Sequence, residues 1–315
     1  MRKSFMRFFL ACVVMMLAGV VANAQVTTSS IAGKVVDADG PVAGAAVIAT
    51  YNPTGSNYYT VTDANGAYRI NAVTAGGPYT VVIDMLGYRK VENSGVYAPL
   101  SEVVYVNATL EVESMGLDAV VFVADGTSSS MNIERSGAGT AVSQKTMEQL
   151  PTSSRSMNDV LKLTPQASVT SNGLAVGGGN YRSSYVTVDG AAFNNAFGIG
   201  GNLPAGGTPI SLDALEQMSI NITPFDVRQS GFTGGAINAV TKSGTNELHA
   251  SVYNYYKSDE ITGYKLGENT VNRSDYLDNT TGITIGAPIV KNKLFFFVNF
   301  EYSQDVTPGS SLRVR

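Results

Sequence analysis

Histidine and cysteine occur once each in these 315 residues, and tryptophan not at all. A single histidine, His249, excludes zinc sites built on two histidines, and a Ser-His-Asp triad would have to rest on that one residue. The chain therefore reads as a non-enzyme, with no cofactor and no metal. The lone cysteine, Cys12, lies in an apolar run near the N-terminus, so the sequence beyond it has neither disulfides nor thiol chemistry. Basic residues are few: 21 Lys and Arg against 25 Asp and Glu give a formal charge of −4. No basic stripe is left to neutralise phosphates, which excludes nucleic acid as a partner. No G-x-x-x-x-G-K-S/T loop occurs, and the glycine clusters at Gly177 to Gly179 and Gly198 to Gly207 lack the spacing of a dinucleotide turn.

What is present begins with Arg2, Lys3 and Arg7, then an apolar run from Phe8 to Val21, then Ala22-Asn23-Ala24. That order is a cleavable secretory signal over residues 1–24. A membrane anchor is the rival reading, but the run is short for a span of about 20 residues and ends in a small-x-small pattern. Cleavage removes three basic residues and no acid, taking the formal charge from −4 to −7. The rest is rich in Gly, Val, Thr, Ser, Tyr and Asn, without another long apolar run, and so is β-type and exported.

Residues 26–112 hold short alternating or β-rich runs at Ser30 to Val36, Ala45 to Tyr51, Tyr58 to Thr62, Ala67 to Ala72, Tyr79 to Met85 and Val103 to Leu110. Turn signals at close spacing between them predict a β-sandwich. Two of the turns, Asp37-Ala38-Asp39-Gly40 and Asp63-Ala64-Asn65-Gly66, carry clustered acids that suggest calcium. A helix-loop-helix calcium site needs a longer ligand series ending in Glu, so ordinary turns are the better reading. The strings Gly33-Lys34-Val35-Val36-Asp37, Pro41-Val42-Ala43-Gly44-Ala45, Thr62-Asp63-Ala64-Asn65-Gly66-Ala67-Tyr68 and Gly87-Tyr88 resemble the carboxypeptidase regulatory-like domain. The resemblance implies a prealbumin-like, seven-stranded sandwich of the carbohydrate-binding-like class, and no catalytic zinc ligands.

A linker over 113–136 carries one sticky strand, Leu117-Asp118-Ala119-Val120-Val121-Phe122-Val123-Ala124, before Gly126 and a serine run. Such a strand is either offered to a partner, through backbone pairing, or is the last strand of the sandwich. Beyond it, residues 137–245 read as a small α+β domain. Helices are predicted at Ser143 to Leu150, with Ser143 as N-cap, at Asn158 to Leu163 and at Leu212 to Met218. Strands are predicted at Tyr185 to Val188, Ser219 to Ile222 and Ala236 to Thr241. The Gly-rich loop from Ala191 to Gly207 is either a ligand-side surface or lumen filling.

The ordered set Leu150-Pro151, Asp159-Val160-Leu161, Val188-Asp189-Gly190, Leu215-Glu216-Gln217, Thr223-Pro224-Phe225-Asp226-Val227 and Gly234 to Asn246 resembles the plug domain of TonB-dependent outer-membrane receptors. With the sandwich in front, it is most similar to the Bacteroidetes-type, Oar-like branch. The resemblance makes Leu117, Asp118, Ala119, Val120, Val121, Phe122, Val123 and Ala124 the candidate TonB box. It departs from the common form at Ala119, often acidic, and at Phe122, often Val. Asp189 and Gly190 become the plug signature turn, and Gly234, Gly235, Asn238, Thr241, Lys242, Gly244, Thr245 and Asn246 the plug-to-barrel motif.

Residues 246–315 fit a barrel starting up, with alternation at Leu248 to Tyr256, Thr281 to Ala287 and Lys293 to Tyr302, the last two joined by Pro288 to Asn292. In the third run Leu294, Phe296, Val298 and Phe300 share one face, and Phe295, Phe297, Asn299 and Glu301 the other. The predicted fold is mainly β with some α: a sandwich, an α+β plug and the first strands of an incomplete transmembrane barrel. The expected partners are TonB with its inner-membrane energising complex, the outer membrane, and a transported siderophore, glycan or peptide. Sandwich and plug would face the periplasm. About three strands, against about 22 in a plugged transporter barrel, read as the front of a receptor that cannot transport as it stands. The alternative is a soluble periplasmic carbohydrate- or cell-wall-binding module, or an envelope adhesin, which leaves the ordered plug motifs unexplained.

Overall fold

The computed structural model describes residues 27–112, 120–123, 139–150, 156–170, 173–194, 210–222, 232–270 and 275–306. The predicted signal over residues 1–24, Leu117 to Ala119 and Ala124 of the candidate TonB box, the loop beyond Asn194 and the run Thr223 to Val227 all lie outside the described residues.

The N-terminal unit is two facing sheets. Strands β1 (Thr28–Val36), β2 (Ala46–Tyr51), β3 (Ser56–Val61), β4 (Ala67–Thr74), β5 (Gly76–Asp84), β6 (Val91–Ala98), β7 (Val103–Tyr105) and β8 (Ala108–Thr109) follow in chain order. One sheet runs β4-β1-β7, with β8 also on β1, and the other runs β3-β2-β5-β6 and ends on β9 (Val120–Val123). Alternation puts Val47 and Ala49 of β2 and Tyr79, Val81 and Ile83 of β5 fully inside, against Ile31 and Val35 of β1. Each buried aliphatic side chain there contributes about 1.5–3 kcal/mol. Buried hydroxyls find partners: Thr62 Oγ1 accepts from Ala45 N at 2.9 Å and donates to Val42 O at 2.7 Å, and the Tyr68 hydroxyl donates to Val106 O at 2.6 Å.

Two differences from the sequence reading matter. The predicted run Val103 to Leu110 is two short strands, and β6 has no counterpart among the predicted strands. Its Glu92-Asn93-Ser94-Gly95 centre breaks the alternation, and the register with β5 shifts where Gly95 takes a φ of 77°. The two acidic tetrapeptides are turns. Asp37 Oδ1 accepts from the N–H groups of Asp39 and Gly40, and Asp63 Oδ1 from those of Asn65 and Ala67.

The central unit has a sheet ordered β10-β15-β16-β13-β14, made of β10 (Gly139–Ser143), β13 (Tyr185–Val188), β14 (Ala191–Ala192), β15 (Leu215–Asn221) and β16 (Ala236–Thr241). The hairpin β11 (Ala167–Thr170) and β12 (Gly173–Val176) lies beside it. Helices α1 (Gln144–Gln149) and α2 (Met157–Leu161) bury Met147, Met157, Val160 and Leu161. Ser143 caps α1, accepting from Thr146 N at 3.4 Å. The predicted helix at Leu212 to Met218 is a 3-10 turn over Leu212–Ala214 followed directly by β15. A seven-residue strand paired on both sides, with β10 and β16, overrides the helix propensity of Leu-Glu-Gln-Met.

The C-terminal unit is a sheet ordered β17-β20-β21, from β17 (His249–Ser258), β20 (Leu277–Val290) and β21 (Leu294–Val306), with a small ribbon of β18 (Lys265–Leu266) and β19 (Asn269–Thr270). β20 and β21 are longer than predicted. Pro288 stands inside β20, opposite Phe295, at a register shift, so the connection shrinks to Lys291-Asn292-Lys293. A proline at a bulge near a strand end removes no ladder bond that the sheet needs.

Candidate functional site

Val120 to Val123, the described part of the candidate TonB box, form a strand running parallel to β6. Val91 stands opposite Val120, Glu92 opposite Val121, Asn93 opposite Phe122 and Ser94 opposite Val123. Among the described residues the segment is thus the outer strand of that sandwich sheet.

Residues read from the sequence as a plug signature and as a plug-to-barrel motif meet in the central sheet. Asp189 (φ 49°) and Gly190 (φ 80°) make the tight turn between β13 and β14, with both central residues in the left-handed region that a type I′ hairpin demands. The Asp189 side chain reaches across the sheet to Thr241, accepting its backbone N–H at 2.9 Å and its hydroxyl at 2.7 Å. Asn238, one of the motif residues on β16, accepts from the Thr187 hydroxyl at 2.7 Å. Gly234 and Gly235 permit close approach: a Cβ on Gly235 would lie 2.6 Å from Val176 Cγ1.

From Thr241 the chain crosses to the C-terminal sheet. Lys242 N donates to Ala214 O at 2.8 Å, and its ammonium stands 3.9 Å from Glu148. Gly244 presses backbone against backbone; a Cβ there would meet Phe296 O at 2.3 Å and Ala287 O at 2.9 Å. Thr245 donates its hydroxyl to Glu247 O at 3.0 Å. Asn246 and Asn292 exchange hydrogen bonds, Asn246 Nδ2 to Asn292 Oδ1 and Asn292 N to Asn246 Oδ1, each 2.8 Å. Asn246 N also donates to Pro53 O of the sandwich at 2.8 Å, so the β2–β3 turn sits on the β20–β21 turn.

The three-stranded sheet has two unlike faces. Tyr253, Gly282 and Glu301 stand in one row across β17, β20 and β21. Because Gly282 has no side chain, the Tyr253 ring lies over it and its hydroxyl reaches Glu301 at 2.7 Å. Ser211, the residue before the Leu212–Ala214 turn, donates to the same carboxylate oxygen at 2.7 Å, which makes this face the one turned to the central unit. The opposite face presents Val252 (76% exposed), Val298 (56%) and Phe300 (64%) with Leu294, Phe296 and Ile283. Leu294, Phe296, Val298 and Phe300 are the face read from the sequence as apolar.

One cluster escaped the sequence reading. Gln217 is 1% exposed. Its Oε1 accepts from Leu100 N at 2.7 Å, and its Nε2 donates to the Tyr97 hydroxyl at 2.8 Å. Beside it Glu216 lies near Gly76, where an added Cβ would stand 3.3 Å from its Oε1 and 3.5 Å from the Tyr51 hydroxyl. Burial raises the Glu216 pKa, Lys242 opposes the rise, and Glu148 adds to it. The Tyr97 hydroxyl is pushed up to about 12, chiefly by burial and then by the Glu216 charge. The only signal in the sequence was two long polar side chains together on an otherwise apolar segment. Among the described residues no group of three or more His, Cys, Asp or Glu could hold a metal, and no helix is long and apolar enough to cross a membrane.

Comparison with known proteins fits this geometry. Residues 30–111 match the carboxypeptidase regulatory-like domain, and residues 240–314 match an outer membrane beta-barrel domain. The TonB-dependent transporter Oar of Myxococcus xanthus is 29% identical over 307 residues, taking in 90% of this chain and 27% of that protein. The chain is a homologue of a TonB-dependent transporter. It spans 27% of that relative's length. Among solved structures, the siderophore receptor PirA from Acinetobacter baumannii is similar over 52% of this chain and 24% of its own, at 20% identity and a TM-score of 0.42. The outer membrane transporter YddB from Escherichia coli is similar over 53% and 26%, at 16% identity and a TM-score of 0.43.

Proposed function

We propose that this chain supplies the periplasmic sandwich, the plug and the first barrel strands of an outer-membrane receptor that takes up a siderophore, glycan or peptide with energy delivered by TonB. The observation that carries the reading is the pair of unlike faces on β17, β20 and β21. One is polar and bonded through Ser211 to the central unit, and the other exposes the apolar side chains of Val252, Ile283, Leu294, Phe296, Val298 and Phe300. Strands that fill a barrel wall around a plug need that division, since lipid-facing and lumen-facing residues alternate. The lengths suit it too: β20 has 14 residues and β21 has 13, against about 9–11 to cross the hydrocarbon. No catalytic role is assigned; the homologous protein is a transporter.

In this reading residues 1–24 are a cleaved signal, residues 137–245 the plug, and Leu117 to Ala124 the TonB box through which TonB is engaged from the periplasmic side. Removing Leu117 to Ala124 from the full-length receptor is expected to abolish energised uptake while leaving assembly in the outer membrane intact. Uptake that continues unchanged would sink the assignment of the box. Fractionation tests the location: a protein found only in the periplasm would favour a soluble binding module.

A further inference from the structure

We propose that the sandwich is a releasable clamp on the junction of the other two units. Docked end-on, it bridges the central unit and the turn between β20 and β21, and it leaves both as one body before the central unit shifts against the C-terminal sheet. Register places three connections at one end of the sandwich. Tyr51 stands opposite Tyr79, and Gly76 opposite Ala98, so the β2–β3, β4–β5 and β6–β7 connections all lie there. Through Tyr97, Ala98 and Leu100 that end holds Gln217 of β15. Through Pro53 O it accepts the Asn246 amide, and Gly55 packs so near Asn292 that a Cβ would stand 2.7 Å from its Oδ1. Because the Asn246 side chain is bonded to Asn292, one residue ties the sandwich to the β20–β21 turn. Ser211 closes the circuit with its bond from the central unit to Glu301. While all three junctions hold, the central unit cannot move against the C-terminal sheet without breaking one of them.

The contacts have the character of a reversible seam. The core of the sandwich, from Ile31 to Leu110, and that of the central unit, from Val142 to Ala239, share no residue. Leu100 is fully buried yet belongs to neither core, and it meets amide and hydroxyl groups at the seam. Hydrogen bonds across such a seam exchange for bonds to water at small net cost, so domains joined this way separate and rejoin. Glu216 brings a carboxylate to the same place, where burial of its charge works against closure. Both contacts hang on one rigid support: Tyr51, before the β2–β3 turn, and Tyr79, after the β4–β5 connection, pack with ring centroids 5.0 Å apart. A body held together in this way loses its two contacts together. The consequence for transport rests on the function proposed above: the plug is freed to move only after the sandwich has left it.

The test is amide hydrogen exchange on the 315-residue chain in detergent. Gly55→Asn drives a wedge against Asn292, at a φ of 72° that asparagine tolerates. Gly44→Asn is the control, at a φ of 80° with nothing within 4 Å of an added Cβ. The wedge is expected to quicken exchange about tenfold at two amides it does not touch, Leu100, which donates to Gln217, and Lys242, which donates to Ala214 O. The control should leave both unchanged. Gln217→Leu, at the other contact, should quicken the Asn246 amide in return. Quickening confined to the altered contact in each variant would overturn the proposal, because the contacts would then open independently. Quickening at Leu100 with Lys242 unmoved would overturn it too, since the sandwich would then release without loosening the junction. If Gly55→Asn also strips protection from Val81 and Ile83, the sandwich has unfolded, and Asn246 in the Gln217→Leu chain decides: quickened, it supports release as one body; unchanged, it overturns it. Uptake is not measured, so failure here is distinct from failure of the box deletion, which tests the transport reading itself.

Discussion

Gln217, on the central sheet, accepts the buried backbone N–H of Leu100 with its side-chain oxygen at 2.7 Å, joining two units whose residues are 117 apart in the chain. Gln217→Leu keeps the bulk and removes the acceptor. A buried donor left without a partner costs about 1–3 kcal/mol. Hydrogen exchange at the Leu100 amide is expected to quicken, while Val81 and Ile83 inside the sandwich keep their protection. Undiminished protection at Leu100 would show that Gln217 is not the anchor.

Asp189 and Thr241 give a second test. Asp189→Ala removes both bonds to Thr241 and places alanine at a φ of 49°, which favours Asp or Asn. The expected loss is about 1–2 kcal/mol, with a smaller loss for Asp189→Asn. A double-mutant cycle with Thr241→Val should give coupling clearly above zero; additive losses would mean that the bond contributes nothing.

Glu216 is expected to make the seam between sandwich and central unit sensitive to pH. Its carboxyl pKa is raised above the ordinary 4.5, chiefly by burial. Between 4.5 and the raised value the unfolded chain releases the proton while the folded one keeps it, so stability falls as pH rises through that window. Glu216→Gln should remove this component and leave the seam firmer at neutral pH. Stability profiles of the two proteins that run parallel from about pH 4 to 8 would contradict the assignment.

Gly282 lies beneath the Tyr253 ring, and a Cβ there would stand 2.2 Å from Tyr253 Cζ. Gly282→Ala should displace the ring, break its bond to Glu301 and cost about 1–3 kcal/mol. The cost should shrink in a Tyr253→Ala background. Gly263, where an added methyl group would have nothing within 4 Å, is the control, expected to change stability by less than about 0.5 kcal/mol when replaced by alanine. Thermal unfolding in detergent measures all of these proteins.

Much of the sandwich was legible because buried strands such as Ala46–Tyr51 and Gly76–Asp84 alternate between inside and outside. β6 was not, because Glu92 to Gly95 interrupt the pattern, and with it went the pairing partner of Val120–Val123. The barrel-type strands were under-read at their polar ends, Leu277 to Thr280 and Ser303 to Val306, where pairing rather than hydrophobicity extends them. Leu212 to Met218 misled in the opposite way, since helix formers there are claimed by two neighbouring strands. Asp189 and Thr241 were each visible in a motif, but the bond between them spans 52 residues and has no local signature. Gln217 was visible only as part of a string; that it is buried, and against what, is a property of the assembled units.

Gly244 carries a consequence for the gene. The chain passes there between Phe296 and Ala287 with room for a hydrogen atom and nothing larger. Any missense change of its codon introduces a Cβ, and even the smallest, in alanine, would strike backbone that cannot rotate aside as a side chain can. The position is closed to point mutation in every direction, so variants of this sequence that still assemble are expected to differ around Gly244 and never at it.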